Sequence, residues 1–196
     1  LVGAVGLGAL LWMFETGKKG KRNAGIALVA LALLVGGFLL VRDTNFVREE
    51  PTLSRLASIS LADGQTRFTI WHMAWEGFLA RPVTGWGQEG FNYVFNTYYE
   101  PSLYGQEAWF DRAHNVFLDW LSAGGFPALL LFLALLISAV VAFYRGNVTR
   151  NERVMLTAAL AAYAFQALFV FDNLFTYIPL AALLGLAHAA SARPFS

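Results

Sequence analysis

Long apolar runs, separated by charged or polar turns, dominate the pattern of this 196-residue chain. The runs cover Leu1 to Phe14, Ala24 to Val41, Val116 to Tyr144, Val154 to Phe171 and Leu174 to Ala190. A transmembrane helix needs about 20 apolar residues, and lone strands cannot satisfy their backbone groups in lipid. The pattern therefore predicts an all-α integral membrane protein with about five transmembrane helices.

The first apolar run is shorter than a full crossing, and the chain starts at Leu1 without an initiator Met. We therefore expect the C-terminal part of a longer protein, organised as one domain. Residues 1–41 would form two membrane helices joined by a basic cytoplasmic loop. Residues 42–115 would form a long extracytoplasmic loop with short helices, and residues 116–196 three membrane helices and a short tail.

The charges along the chain indicate its orientation. Basic side chains concentrate in two short connections between apolar runs, at Lys18, Lys19, Lys21 and Arg22 and at Arg145, Arg150 and Arg153. Residues 42–113 hold six arginines and nine acidic residues, so their formal charge is −3. Short cytoplasmic loops are enriched in Lys and Arg. We therefore expect both basic loops on the cytoplasmic side and loop 42–115 on the outer side.

Composition supports a membrane protein and narrows its chemistry. The chain is 57% hydrophobic, with a mean hydropathy of +0.52. A net charge of +1 gives no indication of nucleic-acid binding, and membrane lipids are the expected surroundings. The absence of cysteine excludes disulfides and a thiolate nucleophile. The three histidines are scattered without ligand spacing, so we predict neither a metal site nor a cofactor.

Within the outer loop, residues 65–79 have the clearest helical periodicity, and Arg81-Pro82 should end that helix because the residue before proline avoids the α region. Its tryptophans, including Trp75, also suit anchors at the membrane surface. His72 and Glu76 lie one turn apart, and we interpret them as a structural pair.

The run from Gly85 to Gly90 formally matches the glycine pattern of dinucleotide-binding folds. That motif requires a preceding strand and a following helix, whereas here the flanks lie between membrane segments. We therefore reject the match. The glycines are better interpreted as a tight turn with positive φ whose N–H groups approach an anionic ligand.

His114 stands where the polar loop enters an apolar helix, between Arg112 and Asn115. A histidine side chain with an ordinary pKa of about 6.5 suits proton abstraction near neutral pH. The alternative is that His114 only caps the helix. Six arginines without a lysine also suit phosphate binding, since a guanidinium grips phosphate with two parallel hydrogen bonds.

Three groups of residues together resemble the O-antigen ligase and polymerase superfamily of bacterial envelope glycosyltransferases. They are Arg67-x-x-x-Trp71, then Pro82 with Gly85-x-Gly87 and Phe91, then His114-Asn115-x-x-Leu118-x-x-Leu121-x-x-Gly124. The resemblance implies a multi-pass enzyme of the bacterial inner membrane. Its members take a glycan from an undecaprenyl diphosphate carrier and pass it to an acceptor hydroxyl, without a metal ion.

The resemblance also implies roles for particular residues. His114 would be the base that deprotonates the acceptor hydroxyl, and Arg67 would bind the diphosphate. Substrate contacts are expected from the neighbouring motif residues, which are Arg112, Arg81, Trp71, Gly85, Gly87 and Asn115. Acceptors differ between branches: lipid A-core for ligases, a carrier-linked repeat for polymerases, and protein hydroxyls for protein O-oligosaccharyltransferases. The main alternative to an enzyme is a non-catalytic transporter or binding module for the carrier lipid.

Overall fold

The computed structural model of the protein describes residue 8 and residues 17–57, 61–105 and 109–192. All regular structure in these ranges is helical, as the sequence predicts, and no strand occurs in them. The α-helices are α1 (Lys18–Val41), α2 (Asn45–Glu49), α3 (Pro51–Ala57), α4 (Leu61–Ala80), α5 (Phe91–Thr97), α6 (Val116–Arg145), α7 (Arg150–Ala167) and α8 (Leu174–Ser191).

Three of these helices, α1, α6 and α8, are long and apolar enough to cross a membrane. Many apolar side chains of α1 are exposed, which is favourable in lipid but not in water. Leu40, for example, is 86% exposed. The chain is therefore a multi-pass membrane protein. Of the two other predicted spans, 1–14 falls outside the described residues except for residue 8.

The remaining predicted span, Val154 to Phe171, forms α7, with other boundaries. The helix begins at Arg150 and ends at Ala167, four residues earlier than expected. Thr149 caps it through a reciprocal pair of hydrogen bonds with Glu152. The charges of Arg150, Glu152 and Arg153 in its first turn lower its hydropathy, and α7 is not among the three candidate spans. Five spans therefore stay a prediction.

The second half of the chain packs as a group of three helices. Helix α6 contacts both α7 and α8, and α7 also contacts α8. Their shared core includes Phe132, Phe143, Leu160 and Leu180. Phe143 is completely buried, and burying such a side chain stabilises a fold by roughly 1.5–3 kcal/mol.

The outer loop has a hydrophobic core of its own. Ile70 and Met73 of α4 pack with Val94 and Phe95 of α5 and with Phe110 from the segment before α6. Helix α4 ends at Ala80, one residue before Arg81-Pro82, as the sequence predicts. The loop is therefore a folded layer whose longest helix, α4, rests on α6.

Helix α6 is interrupted, whereas the sequence predicted one continuous helix. Gly124 and Gly125 have non-helical backbone angles, and Gly125 has a φ of 67°. The segment after α4 enters this break: the Phe126 N–H donates to the Pro82 carbonyl at 2.8 Å. The interruption could not be recognised in the apolar run because its partner groups come from the distant loop.

Two more hydrogen bonds complete the docking of the loop into the break. The Trp86 N–H donates to the Ser122 carbonyl, and the Gly87 N–H donates to the Ala123 carbonyl, each at 2.9 Å. Irregular backbone at membrane depth is tolerated only where the protein satisfies its polar groups. The loop therefore replaces the hydrogen bonds that α6 loses at the interruption.

We expect Gly125→Ala to destabilise the protein. The φ of 67° and ψ of −165° at Gly125 lie in a region that is accessible essentially to glycine only, and another residue there costs about 1–3 kcal/mol. A methyl group at this position would also lie 2.4 Å from the Pro82 carbonyl oxygen. Thermal unfolding of the detergent-solubilised full-length protein measures the effect as a lower Tm.

The matched control is Gly37→Ala. Gly37 lies inside α1, and an added Cβ there meets no atom of the described residues within 4 Å. Because alanine favours a helix over glycine by roughly 0.5–1 kcal/mol, its Tm should not fall. Equal Tm values for the two variants would contradict the role of the interruption.

Candidate active site

The outer loop ends at Asn115, a buried residue that caps the start of α6. The side-chain oxygen of Asn115 accepts hydrogen bonds from the Phe117 N–H at 3.0 Å and the Leu118 N–H at 3.2 Å. Such a cap satisfies N–H groups that have no partner at a helix start. The capping residue is thus Asn115 and not His114, so the capping interpretation of His114 is wrong. The predicted substrate contact of Asn115 stays a prediction.

His114 lies directly before this cap in an unusual backbone conformation. Its φ is 54°, and it is the only residue other than glycine with a positive φ among the described residues. Its Nδ1 lies 3.3 Å from the Arg112 carbonyl oxygen. Because a carbonyl oxygen only accepts, this contact is a hydrogen bond only in a tautomer that carries its hydrogen on Nδ1 and its lone pair on Nε2. Nε2 is then the atom that can accept a proton.

Aromatic rings hold the imidazole of His114 on two sides. Phe110 and Phe171 meet it edge-on, with ring centroids at 5.7 and 5.1 Å. The imidazole is therefore half-buried at a defined place, between the loop core and the turn that connects α7 to α8.

Arg67 reaches the same turn from α4. Its Nη1 donates to the carbonyl oxygen of Phe169, just beyond the end of α7. Trp71, one turn further along α4, lies against the Phe169 ring at a centroid distance of 6.3 Å. A guanidinium has five N–H donors, so one carbonyl contact leaves donors for an anion.

The structure thus brings both predicted catalytic residues to one short segment. Arg67 contacts Phe169, and His114 contacts Phe171. Phe169 and Phe171 are two positions apart in the chain, so their Cα atoms are at most about 7 Å from each other. Arg67 and His114, which are 47 positions apart in sequence, therefore contact the same short segment.

Arg112 lines a small cleft beside His114. Its Nη2 lies 3.1 Å from a carboxylate oxygen of Glu89 in the glycine-rich loop. The cleft has a volume of about 20 Å³, room for about one water molecule. Its walls are formed by Gln88, Arg112, Val116, Asp119, Trp120, Asp172 and Tyr177.

Three other predicted contact residues serve the loop itself. The guanidinium of Arg81 lies 4.1 Å above the Trp86 ring and is exposed. The N–H groups of Gly85 and Gly87 donate to the carbonyls of Arg81 and Ala123. Both glycines have the predicted positive φ, their N–H groups have backbone partners, and the anion-binding turn stays a prediction. Substrate contacts of these residues stay predictions.

The other loop histidine stands apart from this site. His72 lies 3.7 Å from Glu76 and 3.5 Å from Glu100. The predicted pairing of His72 with Glu76 is therefore correct, and it involves a second carboxylate. No three His, Asp or Glu side chains in the part of the chain that the structure covers come together as a metal-binding group.

The order and spacing of these residues agree with a known family. Residues 1–133 match the family described as O-antigen ligase. The chain belongs to this family. The match includes Arg67, His114 and the α6 interruption, whereas the α7–α8 turn lies beyond it. As for individual proteins, the chain is 28% identical over 129 residues to the ComP-specific O-oligosaccharyltransferase of Acinetobacter baylyi.

That alignment covers 64% of the chain and 23% of the relative, so the chain spans about a quarter of the relative's length. No solved structure matches the chain. The family match therefore covers the first two thirds of the chain. The packing around the α7–α8 turn is known from the structure alone.

Two carboxylates near the site are not among the site residues predicted from the sequence. Asp119 and Asp172 both line the cleft. The Asp172 carboxylate accepts from the Tyr163 hydroxyl at 2.7 Å and the Thr176 hydroxyl at 2.9 Å. Ionisable residues inside or beside apolar runs are functional candidates by default. That signal was present in the sequence and could have identified both.

We expect a cysteine pair at Trp71 and Phe169 to be cross-linked in membranes by a short bifunctional maleimide. The rings of these residues are in contact, and the chain has no native cysteine to interfere. The shift of the double variant in denaturing electrophoresis, relative to the single variants, measures the reaction.

The matched control pairs Phe169→Cys with His72→Cys. His72 follows Trp71 on α4, but its side chain is directed toward Glu100. Little cross-linking is expected from this pair. Equal cross-linking of both pairs would contradict the docking of α4 on the α7–α8 turn.

Proposed function

We propose that the full-length protein is a membrane glycosyltransferase of the O-antigen ligase type. It transfers a glycan from an undecaprenyl diphosphate carrier to an acceptor hydroxyl at the outer face of the bacterial inner membrane. His114 is the base, and Arg67 binds the diphosphate. The observation that supports this proposal is that Arg67 contacts Phe169 and His114 contacts Phe171, two residues of the same segment between α7 and α8.

Proton transfer to His114 starts the proposed reaction. The acceptor hydroxyl approaches the imidazole, and its oxygen attacks the anomeric carbon of the glycan while its proton passes to Nε2. The Nδ1 contact with the Arg112 carbonyl supports this role, because it keeps the lone pair on Nε2. A positioned base of this kind typically contributes about 10²–10⁴-fold to a rate.

The leaving group is the carrier diphosphate. The bond between the anomeric carbon and the phosphate oxygen breaks, and its electron pair stays on the diphosphate. Arg67 and Arg112 supply positive charge for that oxygen, which suits a reaction without a metal ion. For Arg112 this requires exchange of the Glu89 carboxylate for a phosphate, and the exposed position of Glu89 makes that exchange easy.

The membrane arrangement is part of the proposal. Five spans, with both basic loops in the cytoplasm, put loop 42–115 and the α7–α8 turn on the outer side. The charge pattern supports this orientation through the preference of Lys and Arg for cytoplasmic loops. The active site then faces the outside, and the aromatic side chains of the loop lie near the membrane surface.

A second candidate acceptor is a protein hydroxyl. It is favoured by the resemblance to the ComP-specific O-oligosaccharyltransferase. A polymerase would use a second carrier-linked repeat instead. The non-catalytic alternative, a transporter or carrier-lipid binding module, uses the arginines for binding alone and gives no reason for a base beside them.

We expect His114→Ala and Arg67→Ala to lose glycan transfer while the full-length protein still inserts. The loss should be about 10²–10⁴-fold for the base and about 10²–10³-fold for a single charge-stabilising donor. Transfer is measured in membranes with a carrier-linked glycan, and protein amounts are equalised by immunoblot.

His72→Ala and Arg48→Ala are the matched controls, because both side chains are exposed and His72 pairs with Glu76 and Glu100 instead of the residues of the site. They should keep native transfer. Full activity of both His114→Ala and Arg67→Ala would exclude the proposed mechanism. Binding of the carrier compound by the native protein without any turnover would instead favour the non-catalytic module.

The acceptor can be identified by competition. The full-length enzyme is incubated with a carrier-linked glycan and offered lipid A-core, a second carrier-linked repeat and a hydroxyl-bearing protein in parallel. A ligase should label the lipid acceptor, as detected by mass spectrometry of the products. Label on the protein or on the second repeat would move the chain to one of the other two branches.

A further inference from the structure

Asp119 makes a hydrogen bond that crosses the start of α6. Its Oδ1 accepts from the Ala113 N–H at 2.7 Å, six residues earlier in the chain. The carboxylate thus reaches back past the helix cap to the loop. An N-cap residue satisfies the N–H groups inside the helix, whereas this contact holds an N–H group that lies before the cap.

The residue between these two contacts is His114. Asn115 is held on one side through Phe117 and Leu118, and Ala113 is held on the other side through Asp119. With both flanking residues held, His114 occupies its left-handed conformation at a φ of 54°. Such a conformation is unfavourable for a side-chain-bearing residue and persists only where the surroundings enforce it.

The conformation determines where the imidazole lies. A change of φ at His114 to an ordinary negative value would swing its side chain away from the Arg112 carbonyl and from the Phe171 ring. The first contact selects the Nδ1–H tautomer, and the second holds the ring at the α7–α8 turn. The backbone at residues 113–115 is therefore a condition for presenting Nε2 at that turn.

We infer that Asp119 is a positioning residue for His114, which it holds in the base-competent orientation through its hydrogen bond to the Ala113 N–H. This inference rests on the proposed function, in which His114 is the base. Asp119 acts as a hydrogen-bond acceptor rather than as a charge, and an uncharged acceptor of the same shape can replace it. Loss of Asp119 therefore slows the chemical step and does not weaken binding of the glycan donor.

The test compares Asp119→Asn with Asp119→Leu in the full-length protein. The two side chains have nearly the same size, but only asparagine keeps an oxygen that accepts from the Ala113 N–H. For Asp119→Leu we expect kcat to fall about 100-fold with little change in the KM for the carrier-linked glycan, since small misplacements of a catalytic group have effects of that size.

Asp119→Asn should lose no more than about tenfold in kcat, because a neutral oxygen accepts a weaker hydrogen bond than a carboxylate does. Asp111→Ala, which removes an exposed carboxylate from the same loop, is the control and should behave like the native protein. Protein amounts are equalised before rates are compared.

Native kcat in Asp119→Leu would overturn the inference. A loss in Asp119→Asn as large as in Asp119→Leu would overturn it too, because the charge would then be what matters. If Asp119→Leu does not accumulate, the kcat of Asp119→Asn decides alone. His114→Ala is measured beside them: if it keeps transfer, the proposed function fails, whereas loss in His114→Ala with native kcat in Asp119→Leu removes only the positioning role.

Discussion

The satisfaction of backbone hydrogen bonds at the interruption of α6 is the constraint on which the rest of the structure depends. An apolar helix that breaks at Gly124 and Gly125 leaves polar groups that lipid cannot satisfy. The segment from Pro82 to Gly87 supplies their partners. Because this segment directly follows α4, the docking also holds α4 against α6. The polar loop is thereby attached to the membrane helices through backbone contacts that require glycine at the closest approach.

The position of α4 explains how distant residues come together. With its C-terminal end fixed at the interruption, α4 extends along the bundle so that Arg67 and Trp71 reach the α7–α8 turn. The segment before α6 reaches the same turn through His114. Two separate anchors, one at the interruption and one at the cap by Asn115, therefore define the candidate site. Of its catalytic candidates, Arg67 lies on α4 and His114 lies directly before the N-cap of α6.

Local patterns explain why much of this was predictable. Membrane helices can be predicted from the sequence because lipid imposes a length and an apolar composition. The end of α4 can be predicted because Pro82 acts through local steric effects. His114 stood out because it lies where the polar loop enters an apolar helix, whereas Arg67 was identified through the family resemblance. The interruption of α6 could not be predicted from the sequence, because a Gly124-Gly125 pair inside an apolar run is also compatible with close packing of two helices. The glycine-rich loop was interpreted as an anion-binding turn, and nothing in the sequence indicated that the Trp86 and Gly87 N–H groups donate to the distant carbonyls of Ser122 and Ala123.

The sequence by itself determined the class of protein, the all-α architecture, the approximate helix limits and the types of residue available for chemistry. These properties depend on composition and on neighbours within a few positions. Tertiary structure decided which residues meet: Arg67 with Phe169, His114 with Phe171, and Asp119 with the Ala113 N–H. It also decided the left-handed conformation of His114, because that conformation is locally unfavourable. Only contacts on both sides of the residue can hold it, and one of these sides is provided by a carboxylate in the next helix.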